Sequence, residues 1–254
     1  DTFRVESTDE VILCDKLIIA CGGLAGTKLG GSMSGYQLLR GFGHKCTKLR
    51  PTLVQLKSDW SGIAALKGVR ANCRATILKN GEKFAESKGE IQFTEYGLSG
   101  IPVMQLSGRL SRLRKGEKCT ALVDLFPEWE EEALFRELKA RQKMAKRETL
   151  ETFLLGTIHK RLAYAVLKSA GLQPLSRPVT DLSNGDLHRL AETLKCWRFA
   201  VTGTQGWDAA QVTGGGIPLP EIDGRTMESK RASGLYLAGE ILDVTGDCGG
   251  FNLH

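Results

Sequence analysis

The chain has 254 residues, of which 41% are hydrophobic and 25% charged, enough apolar material for one large domain or two smaller ones. Thirty-five Lys and Arg are interspersed with 29 Asp and Glu for a formal net charge of +6, and no long basic block appears, so no nucleic-acid partner is expected. No apolar run approaches the roughly 18 residues of a membrane span, so no membrane partner is expected either.

No signal peptide is read at the start of the chain. The seven cysteines are scattered, odd in number and without a C-x-x-C pair, which points to reduced thiols in a cytoplasmic protein. The four histidines show no metal-ligand spacing with one another or with cysteine, so no metal site is expected.

In chain order, Phe3 to Glu6 alternates weakly and Ser7 to Glu10 is polar enough for a hairpin turn. Val11 to Leu13 and Leu17 to Ala20 read as strands, the second apolar on both faces as in a buried parallel sheet. That strand ends in Cys21-Gly22-Gly23. Glycines there either let a ligand approach backbone amides at the carboxyl edge of a sheet or simply terminate the strand. Tyr36, Leu38, Leu39 and Phe42 suggest a short helix stopped by Gly43.

Thr52 to Lys57, Arg74 to Lys79 and Glu90 to Thr94 alternate like strands, with a hairpin signal at Asn80-Gly81. The basic stretch Arg109 to Lys118 reads as a solvated linker between strands, and Thr120 to Phe126 as a further strand ended by Pro127. Three helical stripes follow: Glu128 to Arg147, Ile158 to Ser169 with Gly171 as its cap, and Leu187 to Trp197 introduced by the capping-box pattern Ser183-x-x-Asp186. Strand texture returns from Arg198 and runs to the closing segment "GLYLAGEILDVTGDCGGFNLH". The organisation is α/β at both ends with a β-then-α block between, the pattern of an insertion into a sheet domain.

The strings "DKLIIACGG", "GYQLLRGFGHKCTKLRPTLVQL", "FTEYGLSGIPVMQLSG", "AQVTGGGIPLPEI" and the closing segment resemble the BaiN/RdsA-type family of NAD(P)/FAD-dependent oxidoreductases. That family includes proteins called aminoacetone oxidases and bile-acid enone reductases. The match is dense over Val11 to Leu56 and Val201 to His254 and patchier between. The resemblance implies a partial two-dinucleotide-binding, Rossmann-like FAD domain (residues 1–48 and 200–254) with an inserted β-barrel-like and helical domain (residues 49–199). Flavoproteins of this kind open with a strand, a G-x-G-x-x-G turn and a helix that holds the FAD pyrophosphate. No such motif follows an opening strand here. The resemblance therefore implies a fragment lacking that first segment and the closing helix, one that binds FAD weakly or not at all by itself and is inactive alone.

Site residues also follow from the resemblance. Gly239 and Glu240 match the strand-glycine-acid motif whose carboxylate accepts hydrogen bonds from ribityl hydroxyls. Gly249, Gly250, Phe251 and Asn252 match a helix start whose amides face the pyrimidine edge of the flavin, where reduced flavin is negative. Cys21, Gly22 and Gly23 would pass close to the dinucleotide; Asp247, like Asp243, is either a site residue or a loop cap. No catalytic acid–base pair declares itself. Cys248 lacks a resolving partner and reads as inert rather than as a redox thiol, and Tyr96 is either a proton donor or a packing residue. The implied activity is oxidation or reduction of a small organic substrate, with NAD(P)H or oxygen as the second redox partner. The alternative is a non-catalytic binding module that holds no flavin on its own.

Overall fold

The computed structural model describes residues 2–110 and 117–253. The chain divides into two compact units, one made of Asp1–Val54 with Gln205–His254 and the other of Gln55–Thr204.

The first unit begins with an antiparallel hairpin of β1 (Phe3–Glu6) and β2 (Val11–Cys14), closed by the Ser7 amide donating to the Glu10 carbonyl. β3 (Leu17–Ile19) follows. It is not buried on both faces: Ile19 is in the core but Ile18 is 66% exposed, because strand side chains alternate and only one face of β3 is covered. α1 (Ser34–Gly41) buries Tyr36 and Leu39 and is stopped at Gly43, whose φ of 82° suits glycine. β4 (Arg50–Thr52) then ends at Leu53, whose φ of 53° breaks the extended run. The strand expected over Thr52 to Lys57 is thus two strands in two units.

The second unit contains β5 (Leu56–Ser58), β6 (Arg70–Lys79), β7 (Glu82–Phe93) and β8 (Gly97–Ser99). Asn80 and Gly81, at φ 52° and 92°, make the β6–β7 turn, whose positive φ angles match the strand twist. α2 (Ile101–Leu110) is a helix where none was expected. Its Pro102 sits in the first turn, where proline is tolerated, and its apolar residues lie on so much of its surface that no clean stripe shows in the sequence. Arg109 and Leu110 close this helix rather than opening a linker, and residues 111–116 of that expected linker lie outside the described residues.

β9 (Cys119–Asp124), α3 (Glu131–Met144), α4 (Leu150–Phe153), α5 (Lys160–Ser169), α6 (Asn184–Lys195) and β10 (Trp197–Thr204) complete the unit. α3 begins three residues after the expected Glu128, beyond the turn that Pro127 forces. At the start of α6 the Ser183 hydroxyl accepts the Asp186 amide at 3.1 Å and the Asp186 carboxylate accepts the Ser183 amide at 2.9 Å, a complete capping box. Six antiparallel strands close into a barrel in the order β10-β5-β8-β7-β6-β9. Alternate residues such as Cys73, Ala75 and Ile77 fill it, together with Ile91, Phe93, Val123 and Phe199.

The chain then returns to the first unit through β11 (Val212–Gly214), antiparallel to β4, and β12 (Leu235–Leu237), parallel to β3. Ile19, Tyr36, Leu39, Ile217, Leu235, Leu237 and Ile241 form this unit's own core.

Candidate functional site

In the first unit, β3 and β12 pair in parallel with Leu17 opposite Leu235 and Ile19 opposite Leu237. Their carboxyl ends therefore release two loops at one sheet edge, the edge where open α/β sheets receive ligands. One loop carries Cys21, Gly22 and Gly23. The other begins at Gly239, whose φ of 80° starts a 3₁₀ turn (Gly239–Ile241) containing Glu240.

Thr213 of β11 joins the two loops. Its backbone amide donates to Glu240 Oε1 at 2.8 Å, and its fully buried hydroxyl accepts the amides of Leu24 at 2.8 Å and Ala25 at 2.9 Å. These bonds fill the space beside Gly23: a Cβ there would lie 2.5 Å from Thr213 Oγ1 and closer still to Glu240 Oε1. Gly23 is thus required by this network, before any ligand is considered. The Gly22 and Gly239 backbones border open space. Glu240 Oε2 takes no hydrogen bond among the described residues, so one carboxylate oxygen is fixed and the other is left over.

Tyr36 lies under this edge, fully buried, its hydroxyl donating to the Glu240 carbonyl at 3.4 Å. Burial first, and then the negative charge of Glu240, push the phenol far above its usual range, so it stays protonated. Neither Thr213 nor Tyr36 was singled out for the site from sequence. The one signal for Thr213 was its place before Gly214, Gly215 and Gly216.

Asp247, Gly249, Gly250, Phe251 and Asn252 form a second, separate group. The Asn252 side chain accepts the Gly246 amide at 2.7 Å and donates to the carbonyls of Gly246 and Asp247 at 3.2 and 2.9 Å. Its amide is therefore committed to shaping the loop. Gly249 and Gly250 border no atom against which a Cβ would clash, apart from ordinary contact of Gly249 with the Phe251 ring, and Phe251 is 69% exposed. The Asp247 side chain is exposed and makes no hydrogen bond among the described residues, whereas Asp243 accepts from the Thr47 hydroxyl at 2.9 Å. The Cys248 thiol faces Gln211 Oε1 at 3.6 Å. Tyr96 lies in the other unit, in the β7–β8 turn, where its carbonyl accepts the Ser58 amide.

The same unit holds a Ser–His–Glu constellation that sequence spacing hid. Ser229 Oγ lies 2.7 Å from His44 Nε2, and His44 Nδ1 lies 2.8 Å from Glu221 Oε2. Ser229 Oγ already accepts the Arg231 and Ala232 amides, so its proton goes to His44 Nε2, which fixes the proton of His44 on Nδ1 facing Glu221. All three residues are buried, and the serine lone pairs are occupied by backbone donors. This is a structural clamp between the segment after α1 and the segment before β12, not a nucleophile. Burial by itself raises the Glu221 carboxyl, but hydrogen bonds from His44, Arg231 and the Lys45 amide outweigh it and hold the group below the usual range.

Among the described residues no His, Cys, Asp and Glu cluster could hold a metal, and no helix is long and apolar enough to cross a membrane.

Comparison with known proteins shows what the chain as a whole is similar to. Over 253 residues the chain is 35% identical to the "3-dehydro-bile acid delta(4,6)-reductase" of Clostridium scindens, covering 99% of this chain and 62% of that protein. It is 32% identical over 255 residues to the "Ribosomal RNA dihydrouridine synthase" of Escherichia coli, covering 99% and 60%. The protein of the same name from Haemophilus influenzae is 31% identical over 243 residues, covering 95% and 57%. The chain thus spans 57–62% of the length of these curated relatives. Residues 50–212, which contain the barrel strands β5–β10 and helices α2–α6, match the family described as "HI0933-like protein barrel and H2TH domain". The chain belongs to the HI0933-like family of BaiN/RdsA-type flavoprotein oxidoreductases.

Proposed function

We propose that the chain is part of an FAD-dependent reductase that saturates a carbon–carbon double bond conjugated to a carbonyl, with NAD(P)H as electron donor. The observation that carries the reading is Glu240, at the carboxyl edge of the parallel β3–β12 pair, with Oε1 fixed by the Thr213 amide and Oε2 left over. The relatives' names add the chemistry. Unsaturation beside a 3-oxo group and the uridine 5,6 double bond are both conjugated to a carbonyl, and both are substrates for hydride addition.

The residues present fit a flavin. Glu240 Oε2 is available to accept a ribityl hydroxyl, and open space borders the Gly22 and Gly239 backbones. Gly249 and Gly250 offer backbone that a planar ring can approach closely. Bound flavin supplies the hydride acceptor and donor. The chain's own part is to orient and to polarise: Thr213 holds Glu240 in place, and the neutral Tyr36 phenol steadies the Glu240 backbone from below. Asp247 and the Asn252-shaped loop would border the ring's pyrimidine edge. In this reading the unit Gln55–Thr204 is an insertion between the two halves of the flavin unit.

Two substrate classes are compatible with that chemistry. The first is a small enone. The second, a uridine within RNA, is favoured by one observation: the unit Gln55–Thr204 contains 25 Lys and Arg against 17 Asp and Glu, net +8, while the other unit has 10 against 12, net −2. The expectation of no nucleic-acid partner rested on the whole-chain charge, which averages these two values.

The test is an FAD titration of the full-length protein. Glu240→Ala removes a charge-assisted hydrogen bond of about 1.5–3 kcal/mol, so FAD affinity should fall roughly ten- to hundredfold. Unchanged affinity would take Glu240 out of the site. Anaerobic re-oxidation of the reduced protein by a conjugated enone, or by uridine-containing RNA, then tests the reaction class; re-oxidation by neither would refute it.

A further inference from the structure

Two cavities of the barrel-and-helix unit share one wall, Trp60. One, of about 390 Å³, opens between Trp60, the ends of α5 and α6, and the start of β10. The other, of about 270 Å³, lies between Trp60 and the outer side of α5. Both approach or reach the size range of small-ligand sites, roughly 300–1,000 Å³.

Trp60 is held firmly. Its ring meets Trp197 and Phe199 edge-on, at centroid separations of 5.2 and 5.7 Å, and lies against Gly62, where a Cβ would clash with its benzo edge. It nonetheless stays partly exposed. An indole that is rigid, amphipathic and half-open offers a surface for a planar partner at little entropic penalty.

Around it the charge is one-sided. Arg161, Lys168, Arg189 and Arg198 line the two cavities, against the single carboxylate of Glu192. Two of the four are committed: Arg161 donates to the carbonyls of Ala65 and Lys67, and Arg189 pairs with Asp186. The Lys168 ammonium and the Arg198 guanidinium are exposed and donate no hydrogen bond and form no ion pair among the described residues. They stand on either side of Trp60, within the unit of net charge +8.

We propose that the cleft on both sides of Trp60 receives a single-stranded segment of RNA, with Trp60 as its apolar wall and Lys168 and Arg198 as its phosphate contacts. This rests on the RNA reading of the substrate given above. Unpaired cations flanking a partly open aromatic are what a strand of alternating phosphates and bases requires, and a small neutral enone has no use for them. An acidic peptide would meet the cations but would leave the aromatic wall without a planar partner.

The test is fluorescence anisotropy of a labelled oligouridylate with the 254-residue chain at 50–200 mM salt. The paired variant Lys168→Glu/Arg198→Glu breaks no side-chain hydrogen bond or ion pair among the described residues and should fold as the parent does. It should bind at least tenfold more weakly, and its log–log salt slope should be shallower by about 1.4, two lost contacts on a single strand. Arg136→Glu/Lys143→Glu, an equal charge change on the exposed face of α3, should bind nearly as the parent does. If both pairs lose affinity equally, or the first loses none, the cleft is not the contact site, although the RNA reading stands. If the parent does not bind the oligouridylate even at 50 mM salt, both fall. Polyglutamate binding as tightly as the RNA would also overturn the proposal.

Discussion

Thr213 makes the most specific test of how the candidate site is built. Thr213→Val keeps the shape of the side chain and the amide that donates to Glu240, and removes only the hydroxyl. The Leu24 and Ala25 amides, at 2.8 and 2.9 Å, then lose their acceptor. Both residues are half-buried, so water replaces the bond only partly. A net loss of about 0.5–1.5 kcal/mol for each bond gives about 1–3 kcal/mol for the pair. Amide hydrogen exchange reads this locally, without assuming that the two units unfold together. Exchange at Leu24 and Ala25 should accelerate roughly five- to hundredfold, while the β6 and β9 amides of the barrel keep their protection. Thr213→Ser, which restores the hydroxyl, should return most of it. If the valine variant keeps both amides protected, the loop after β3 is held by other contacts, such as the Gly26 amide on the Trp207 carbonyl, and Thr213 does not join the two halves of the edge.

Two further outcomes follow from titration and burial. Because the Glu221 carboxyl titrates below its unfolded value, its contribution to stability is complete above the unfolded pKa and is lost as pH falls through the folded one. Glu221→Gln should therefore destabilise the first unit at pH 7 by about 1.5–3 kcal/mol and flatten the acid side of a urea-midpoint profile below pH ~4.5. An unchanged profile would mean that the His44–Glu221–Ser229 clamp carries no stability. In the barrel, burial pushes the Cys73 thiol up to about 12. A disulfide reagent at pH 8 should label the exposed Cys21 promptly and Cys73 only after unfolding, and prompt labelling of Cys73 would show that the barrel opens readily.

The sequence disclosed features whose causes are local. Asn80-Gly81 forms its turn because both residues tolerate positive φ, and Ser183 and Asp186 cap α6 because the two partners sit three residues apart. Gly239 and Glu240 were named through the family resemblance, and the contiguous strand, glycine and acid form β12 and the 3₁₀ turn that follows it. What stayed hidden depends on distant pairing. The Thr213 hydroxyl serves amides 188 and 189 positions away, and His44 meets partners 177 and 185 positions away. No spacing rule reaches that far. Helix α2 was hidden for a different reason: burial on most of its sides removed the polar stripe that marks a surface helix. Gly23 was expected either near a ligand or as a strand-terminating turn, and its immediate reason, the space taken by Glu240 and Thr213, belongs to the fold.

Charge shows most sharply how topology changes what a sequence says. Read along the chain, +6 is unremarkable, because the acidic residues of the closing segment follow directly on the basic middle. Folding sorts them: the two ends form one unit of net −2, and the middle forms a unit of net +8. An acidic unit repels a polyanion overall, yet it holds a single compact anion well through backbone amides at glycine-rich loops, which carry partial positive charge without any cationic side chain. A flavin dinucleotide makes that kind of demand. A strand of RNA makes the opposite one, since its phosphates are spread out and are met by many cationic side chains over a wide surface. On the proposed reading the two demands fall on different units, and the net charge of each unit agrees with the ligand proposed for it.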